Sequence, residues 1–461
     1  MDYPKNHKMK KIFPLIFLII CFLIIKAANN SVRLSDTNIY FNIATQIFQG
    51  KILYKDIFFS NFPFFSYVSS FYYIITGKII ELFYFTSSVE IATITTFIFL
   101  IVYKKTKDYI ISIISSLLYI FSFMVLSTSD HQTGIFTASL LAVLGFYFLK
   151  EKVILSGVFI AASFLTKAYF IPIVLSFYGY LAIKRNKEKI IKFSIGFILA
   201  SLFILLPFLL LAPKEFFSDI FGFSLTRPTG LSKINIIWFF ITKDFPLFIL
   251  LIFNLFNIKK NILFGLISIF SIIFFFAYQD IYYLYLNFLT PFLCISLYEL
   301  SYFLRKNLNI QKMIIPTIIF VFILYNLFSY LSSYKDLGKL QINKITKTII
   351  AEKPDFLYGV NDITPALISL TNIPALENVN DAHEYFFTRG IYDKDKLTEK
   401  AINSKTIIVT HGADYPNYNI KQDILDKIFI KEAIYKSCKI ILSIPVISES
   451  DANRINLFKC Y

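Results

Sequence analysis

From residue 12 to residue 331, apolar runs alternate with short joints that carry lysine or arginine. A helix needs about 20 apolar residues to cross a hydrocarbon core of about 30 Å, so each long run reads as one crossing. Basic joints mark the cytoplasmic side. They fall at residues 8–11, 104–107, 150–152, 184–189, 259–260 and 305–306, and an even number of crossings must separate each consecutive pair. Residues 110–126 and 135–149 then pair as one excursion, 153–166 and 170–183 as the next, 190–211 and 245–258 as a third, and 262–277 and 284–300 as a fourth; 314–331 crosses outward last. The first run, 12–25, follows Lys8, Lys10 and Lys11 and ends without a small-residue cleavage pattern, so it is expected to be an uncleaved span. The stretch 64–103 is long enough for two helices, yet parity allows one net crossing. Thr76, Gly77, Lys78, Glu81 and Glu90 interrupt it, so its first half is expected partly in the interface and its second half across the membrane. The sum is about eleven crossings, an all-α polytopic membrane domain over residues 1–332.

After residue 333 the apolar runs shorten and polar residues become frequent. Residues 356–360, 406–410 and 439–444 read as strands, with helices expected at 364–370 and 422–429, giving a small α/β domain over 333–461. With the N-terminus in the cytoplasm of a plasma-membrane protein, the charge rule places this tail and a first loop, 28–63, outside.

Hydrophobic residues make up 56% of the chain and charged residues 16%, more apolar surface than one soluble core buries. The net charge of +16 is therefore a topology signal. Nucleic acid is not an expected partner, because most of the 54 Phe and 30 Tyr sit inside apolar runs, apart from the basic joints. Cys21 and Cys294 fall in spans as small hydrophobes, and no Cys and His spacing suits zinc. Cys438 and Cys460 stand in the tail, where an oxidising compartment allows a disulfide; two free thiols are the alternative.

The uncommon polar residues converge on the outer face. In the first loop, Ile39, Ile43 and Ile47 recur every four residues, as do Asp36, Tyr40 and Ala44, which predicts an amphipathic helix on the membrane surface ending at Gly50. On its own residues Asp36 is a helix cap. An acid soon after the first span, Tyr40 four residues on, Ala44, Gly50, then Tyr54, Asp56 and Pro63 opening the next run together resemble the first external loop of the GT-C glycosyltransferases. The pattern is similar to the polyprenyl-phosphate-sugar-dependent branch that includes protein mannosyltransferases and the aminoarabinose transferases of lipid A. The resemblance covers residues 10–331, and its sharp motif lies within 36–63.

The resemblance implies transfer of a sugar from a dolichyl- or undecaprenyl-phosphate donor to a glycan, lipid or protein acceptor outside the membrane. Asp36 then matches the essential loop acid, as general base or as ligand to a divalent metal. Asp130 matches a second acidic position, against the alternative of a solvated loop residue, and Asp56 a recurrent turn position. Arg33 and Tyr40 flank the acid and are carried as substrate contacts. Lys167 stands between two apolar runs, where a cation is costly without a role, and related enzymes often place a lysine there for the donor phosphate. Arg227 offers a guanidinium fork suited to phosphate. In the turn before Tyr283, Tyr282 stands where the family usually has a basic residue, which weakens any phosphate role for this turn. His131, His383, Glu384 and His411 form no triad or metal spacing and read as solvated. Two rival readings remain, a transporter or flippase of lipid-linked sugars and a noncatalytic scaffold. A pore through both leaflets favours transport; an outward cavity lined by Asp36, Asp130, Lys167 and Arg227 favours the enzyme.

Overall fold

The computed structural model describes residues 5–222, 230–308, 314–334, 340–412, 427–446 and 454–461. The chain is mostly helical with a small C-terminal sheet, and it divides into two compact units. The first comprises Met1–Asn30, Leu53–Phe65 and Phe85–Ser332; the second comprises Ser31–Ile52, Ser66–Tyr84 and Ser333–Tyr461. The tail thus shares its unit with most of the first loop.

Among the described residues, two helices are long and apolar enough to cross a membrane, α4 (Ile80–Thr106) and α10 (Lys187–Leu211). A third follows if the bent pair α12 (Lys233–Lys243) and α13 (Phe245–Phe256) is one span, and eight shorter apolar helices of 10–17 residues accompany them. Helix α10 leaves Leu199, Phe203 and Leu210 exposed, a continuous apolar surface that lipid would cover. The ambiguous stretch 64–103 resolves into a 12-residue α3 (Phe64–Ile75) and the 27-residue α4, parted by a turn with positive φ at Gly77 and Lys78.

Two predicted elements come out differently. The expected single crossing 110–126 is α5 (Tyr109–Ile120) followed by the short α6 (Phe123–Thr128), and residues 233–243, between the expected crossings 190–211 and 245–258, form α12. The two breaks meet at Asp244. Pro246 in the first turn of α13 cannot extend the hydrogen-bond ladder of α12, and the two helices meet at 107°. The Asp244 carboxylate at that corner, fully buried, accepts from the backbone N–H groups of Phe123 and Met124, both at 2.8 Å. Asn326 donates to the Phe121 carbonyl at 3.2 Å. Broken helices are tolerated in an apolar medium only when their freed backbone groups find partners, and here one break caps the other.

Helix α8 (Val153–Thr166) crosses α10 with almost no gap. A Cβ at Gly157 would lie 2.1 Å from the Phe193 carbonyl oxygen, and one at Gly196 would lie 2.0 Å from that of Ile154. Small residues permit this approach, which substitutes backbone packing for the hydrophobic drive absent in lipid.

In the second unit the sheet order is β1-β2-β4-β3, from β1 (Phe356–Gly359), β2 (Thr406–Gly412), β3 (Lys439–Pro445) and β4 (Arg454–Lys459). Strands β1 and β2 run parallel and the other pairs antiparallel, with Phe356 opposite Thr406 and Ile407 opposite Lys459. The expected strands and the helix at α18 (Thr364–Thr371) are present; β4 was not predicted, and its hydrophobic stretch is too short to stand out. Most of the expected helix 422–429 lies outside the described residues. Cys438 and Cys460 form a disulfide where β3 begins and β4 ends.

Candidate active site

Asp36 opens helix α2 (Thr37–Phe48), but the capping is done by its neighbour: the Ser35 Oγ accepts from the Thr37 N–H at 3.0 Å, while the Asp36 side chain makes no capping hydrogen bond. Its carboxylate is exposed. A helix start that has its own acceptor leaves the acid beside it for other chemistry.

Helix α2 is not a surface helix in this structure. Nine of its twelve residues are buried within the second unit, because a third stripe, Asn38, Asn42 and Gln46, faces the tail. Asn38 Nδ2 donates to the Asp362 carbonyl at 2.5 Å, Ser369 Oγ donates to Asn42 Oδ1 at 2.8 Å, and Asn380 Nδ2 donates to Gln46 Oε1 at 3.4 Å. The opposite side seats Phe41 edge-on against Tyr73 and Phe83. The Ser35 N–H also reaches the Asp362 carbonyl, at 3.2 Å, and the Asp362 carboxylate is held by His411 Nδ1 of β2 at 2.6 Å. His411 is therefore a partner of the helix support and not a solvated residue. Arg33 contributes its carbonyl to Asn38 and Tyr84, and Tyr40 is buried.

The remaining candidates belong to the first unit. Asp130 is buried and ion-paired with Lys26 at 2.6 Å. Lys26, also buried, donates to the Leu126 carbonyl at 3.3 Å and to the Tyr330 hydroxyl at 2.6 Å, and that hydroxyl stands 3.4 Å from Asp130. The segment around Asp130 is fastened to α4: Gln132 Nε2 donates to Thr86 Oγ1 at 2.7 Å and to the Glu90 carboxylate at 3.1 Å, Thr137 donates to the same carboxylate, and Ser87 donates to the Ser129 carbonyl. Lys167 is buried at the end of α8, its ammonium 6.0 Å from the Phe65 ring and 5.8 Å from that of Tyr169. Asp56 is exposed in the turn closed by Tyr54, whose hydroxyl donates to the Asn61 carbonyl at 2.6 Å. Tyr283 begins a short 3₁₀ segment, Tyr283–Phe288, with its ring against Phe239. Arg227 lies outside the described residues.

Three supporting residues escaped sequence reasoning. Lys26 directly follows the first apolar run, and a lysine at the end of a span already asks for a counter-ion. Glu90 read only as an interruption. Asp219, in the turn Ser218–Gly222, accepts from the Phe59 N–H at 3.2 Å; burial pushes its carboxyl up to about 6, against the pull of that hydrogen bond. Nothing in its sequence neighbourhood distinguishes it. Among the described residues no group of three His, Cys, Asp or Glu side chains that could hold a metal ion is present.

No protein-family model and no curated protein matches the chain. Solved structures do. ArnT from Cupriavidus metallidurans in the apo state superposes with a TM-score of 0.67 at 12% identity, over 98% of each chain. The same protein bound to undecaprenyl phosphate gives 0.61 at 12% identity over 97% of each chain. The Archaeoglobus fulgidus oligosaccharyltransferase, in complex with zinc and sulfate, gives 0.51 at 12% identity over 85% of this chain and 68% of its own. The fold expected from the first-loop resemblance is the fold that these structures share with this chain.

Proposed function

We propose that this chain is a membrane glycosyltransferase that moves a sugar from a polyprenyl-phosphate donor to an acceptor at the outer face, with Asp36 as general base. The observation that carries the reading is the Asp36 carboxylate: exposed, relieved of capping by Ser35, and borne on a helix held by an asparagine and glutamine seam. The end-to-end likeness to ArnT, one structure of which holds undecaprenyl phosphate, supports the donor class. About eleven crossings, an N-terminus in the cytoplasm and a tail outside complete the reading.

The chemistry needs few groups. The acceptor hydroxyl or amine passes its proton to Asp36, its oxygen or nitrogen bonds to the anomeric carbon, and the anomeric carbon–oxygen bond breaks with its electron pair leaving on the polyprenyl phosphate. The growing phosphate charge requires cations, for which Lys167 and Arg227 are the candidates. Arg33, Tyr40, Asp56 and Tyr283 line the substrates in this reading. Asp130, neutralised by Lys26, serves as a positioning acid that holds its loop.

The test supplies the purified chain with radiolabelled polyprenyl-phosphate sugars and compares wild type with Asp36→Asn. Transfer by wild type and a loss of about 10²–10⁴-fold in the variant is the expected result for a general base. Undiminished transfer by Asp36→Asn would remove the assignment, and no consumption of any donor by wild type would remove the class.

A further inference from the structure

At the lysine-rich end of the first unit lies a cavity of about 430 Å³ that the proposed transfer reaction does not use. Four separate helix joints deliver lysines to it: Lys104 and Lys105 from the end of α4, Lys150 from the joint before α8, Lys184 from the joint before α10, and Lys260 from the joint after α13. Against these five ammonium groups the lining holds two carboxylates, Glu151 and Glu299. Glu151 is engaged by Lys104 at 2.6 Å, and Lys105 faces Lys150. The remainder of the wall is apolar or aromatic, with Phe146, Leu149 and Phe264 among its members and the Tyr298 ring 5.8 Å from the Lys105 ammonium.

The orientation rule accounts for lysines at this end of the helices, but not for their convergence on one concavity. The five lysines reach solvent, yet like charges gathered round one concavity repel one another, and an anion seated among them converts that repulsion into attraction. A volume of this size falls within the range of small-ligand sites. We propose that this cavity binds a phosphate group: its lysines supply charge-assisted hydrogen bonds and its apolar wall takes the carbon skeleton that bears the phosphate. Phosphate chemistry has two sources here, the headgroup of an anionic membrane lipid and a soluble phosphate.

The experiment uses the full chain purified in detergent and titrated, by native mass spectrometry and by thermal shift, with phosphatidic acid, phosphatidylcholine and inorganic phosphate. Wild type is expected to retain phosphatidic acid over phosphatidylcholine. The pair Lys105→Gln/Lys150→Gln is expected to weaken that binding by more than about tenfold, the cost of lost charged hydrogen bonds. A control pair, Lys152→Gln/Lys259→Gln, removes the same charge from equally exposed joints that do not line the cavity and is expected to leave binding unchanged. If the first pair does not fold, Lys184→Gln/Lys260→Gln tests the same wall. Displacement of the lipid by inorganic phosphate assigns the site to a soluble phosphate; retention of the lipid alone assigns it to a headgroup. Equal weakening by the cavity and control pairs, or no binding of any phosphate-bearing probe, overturns the proposal.

Discussion

Asp36 and Asp130 are the same residue type in two electrostatic situations. Asp36 is exposed at a helix start whose N–H group is served by Ser35. Asp130 is buried, and its charge is answered by Lys26 at 2.6 Å with the Tyr330 hydroxyl close by. The first carboxylate faces solvent; replacing the second would leave a buried lysine without its counter-charge. A sequence presents both as acids in external loops. Only their neighbours separate an exposed acid from one buried against a lysine.

The sharpest way to break the comparison is to exchange the outcomes. Asp36→Asn should abolish transfer while leaving thermal stability in detergent within about 0.5 kcal/mol, since surface changes away from caps and cores cost little. A large loss of stability there would make Asp36 structural after all. Lys26→Met should do the converse, destabilising the chain by about 3–5 kcal/mol through the buried charge left on Asp130, with the double variant Lys26→Met/Asp130→Leu recovering most of the loss. Denaturation in detergent measures both, and a single variant as stable as wild type would mean that the pair is not a buried unit.

Smaller effects test the supports. Asn42→Ala strands the Ser369 hydroxyl and the Asn380 amide and should cost about 1–3 kcal/mol, read as a lower midpoint in thermal denaturation. An unchanged midpoint would show that the seam between α2 and the tail contributes nothing. The smallest effect concerns Asp219, whose folded-state pKa of about 6 stands above its ordinary 3.8. Below the lower value both states are protonated and burial carries no penalty; as pH rises through this window the unfolded chain ionises first, so wild type loses stability. Asp219→Asn escapes that loss, and its midpoint should rise relative to wild type between pH 4 and pH 7. A difference that stays flat across that range would count against the assignment.

Much of the architecture was legible because the bilayer imposes a simple rule on sequence. The apolar run 262–277 became α14 (Ile262–Ala277) with the same bounds, and the strands at 356, 406 and 439 begin where their short hydrophobic runs do. The break between α5 and α6 was not legible, since the acid that caps it, Asp244, lies 121 residues away. Helix α2 was recognised as a helix but not as a buried one: its isoleucine stripe pointed to a membrane surface, and the asparagine stripe beside it acquires meaning only opposite Ser369 and Asn380.

The sequence by itself determined that the chain crosses a membrane, that its lysines gather at the joints, and that an acid follows the first span in a GT-C-like pattern. These are properties of local composition and spacing, on which partition into lipid and helix periodicity depend. The tertiary structure decided which acid is paired, which helix is covered and which lysines enclose a cavity. Each of those is an interaction between residues far apart in the chain, and the strength of a charge or hydrogen bond depends on how far its surroundings exclude water, which spacing along a sequence does not encode.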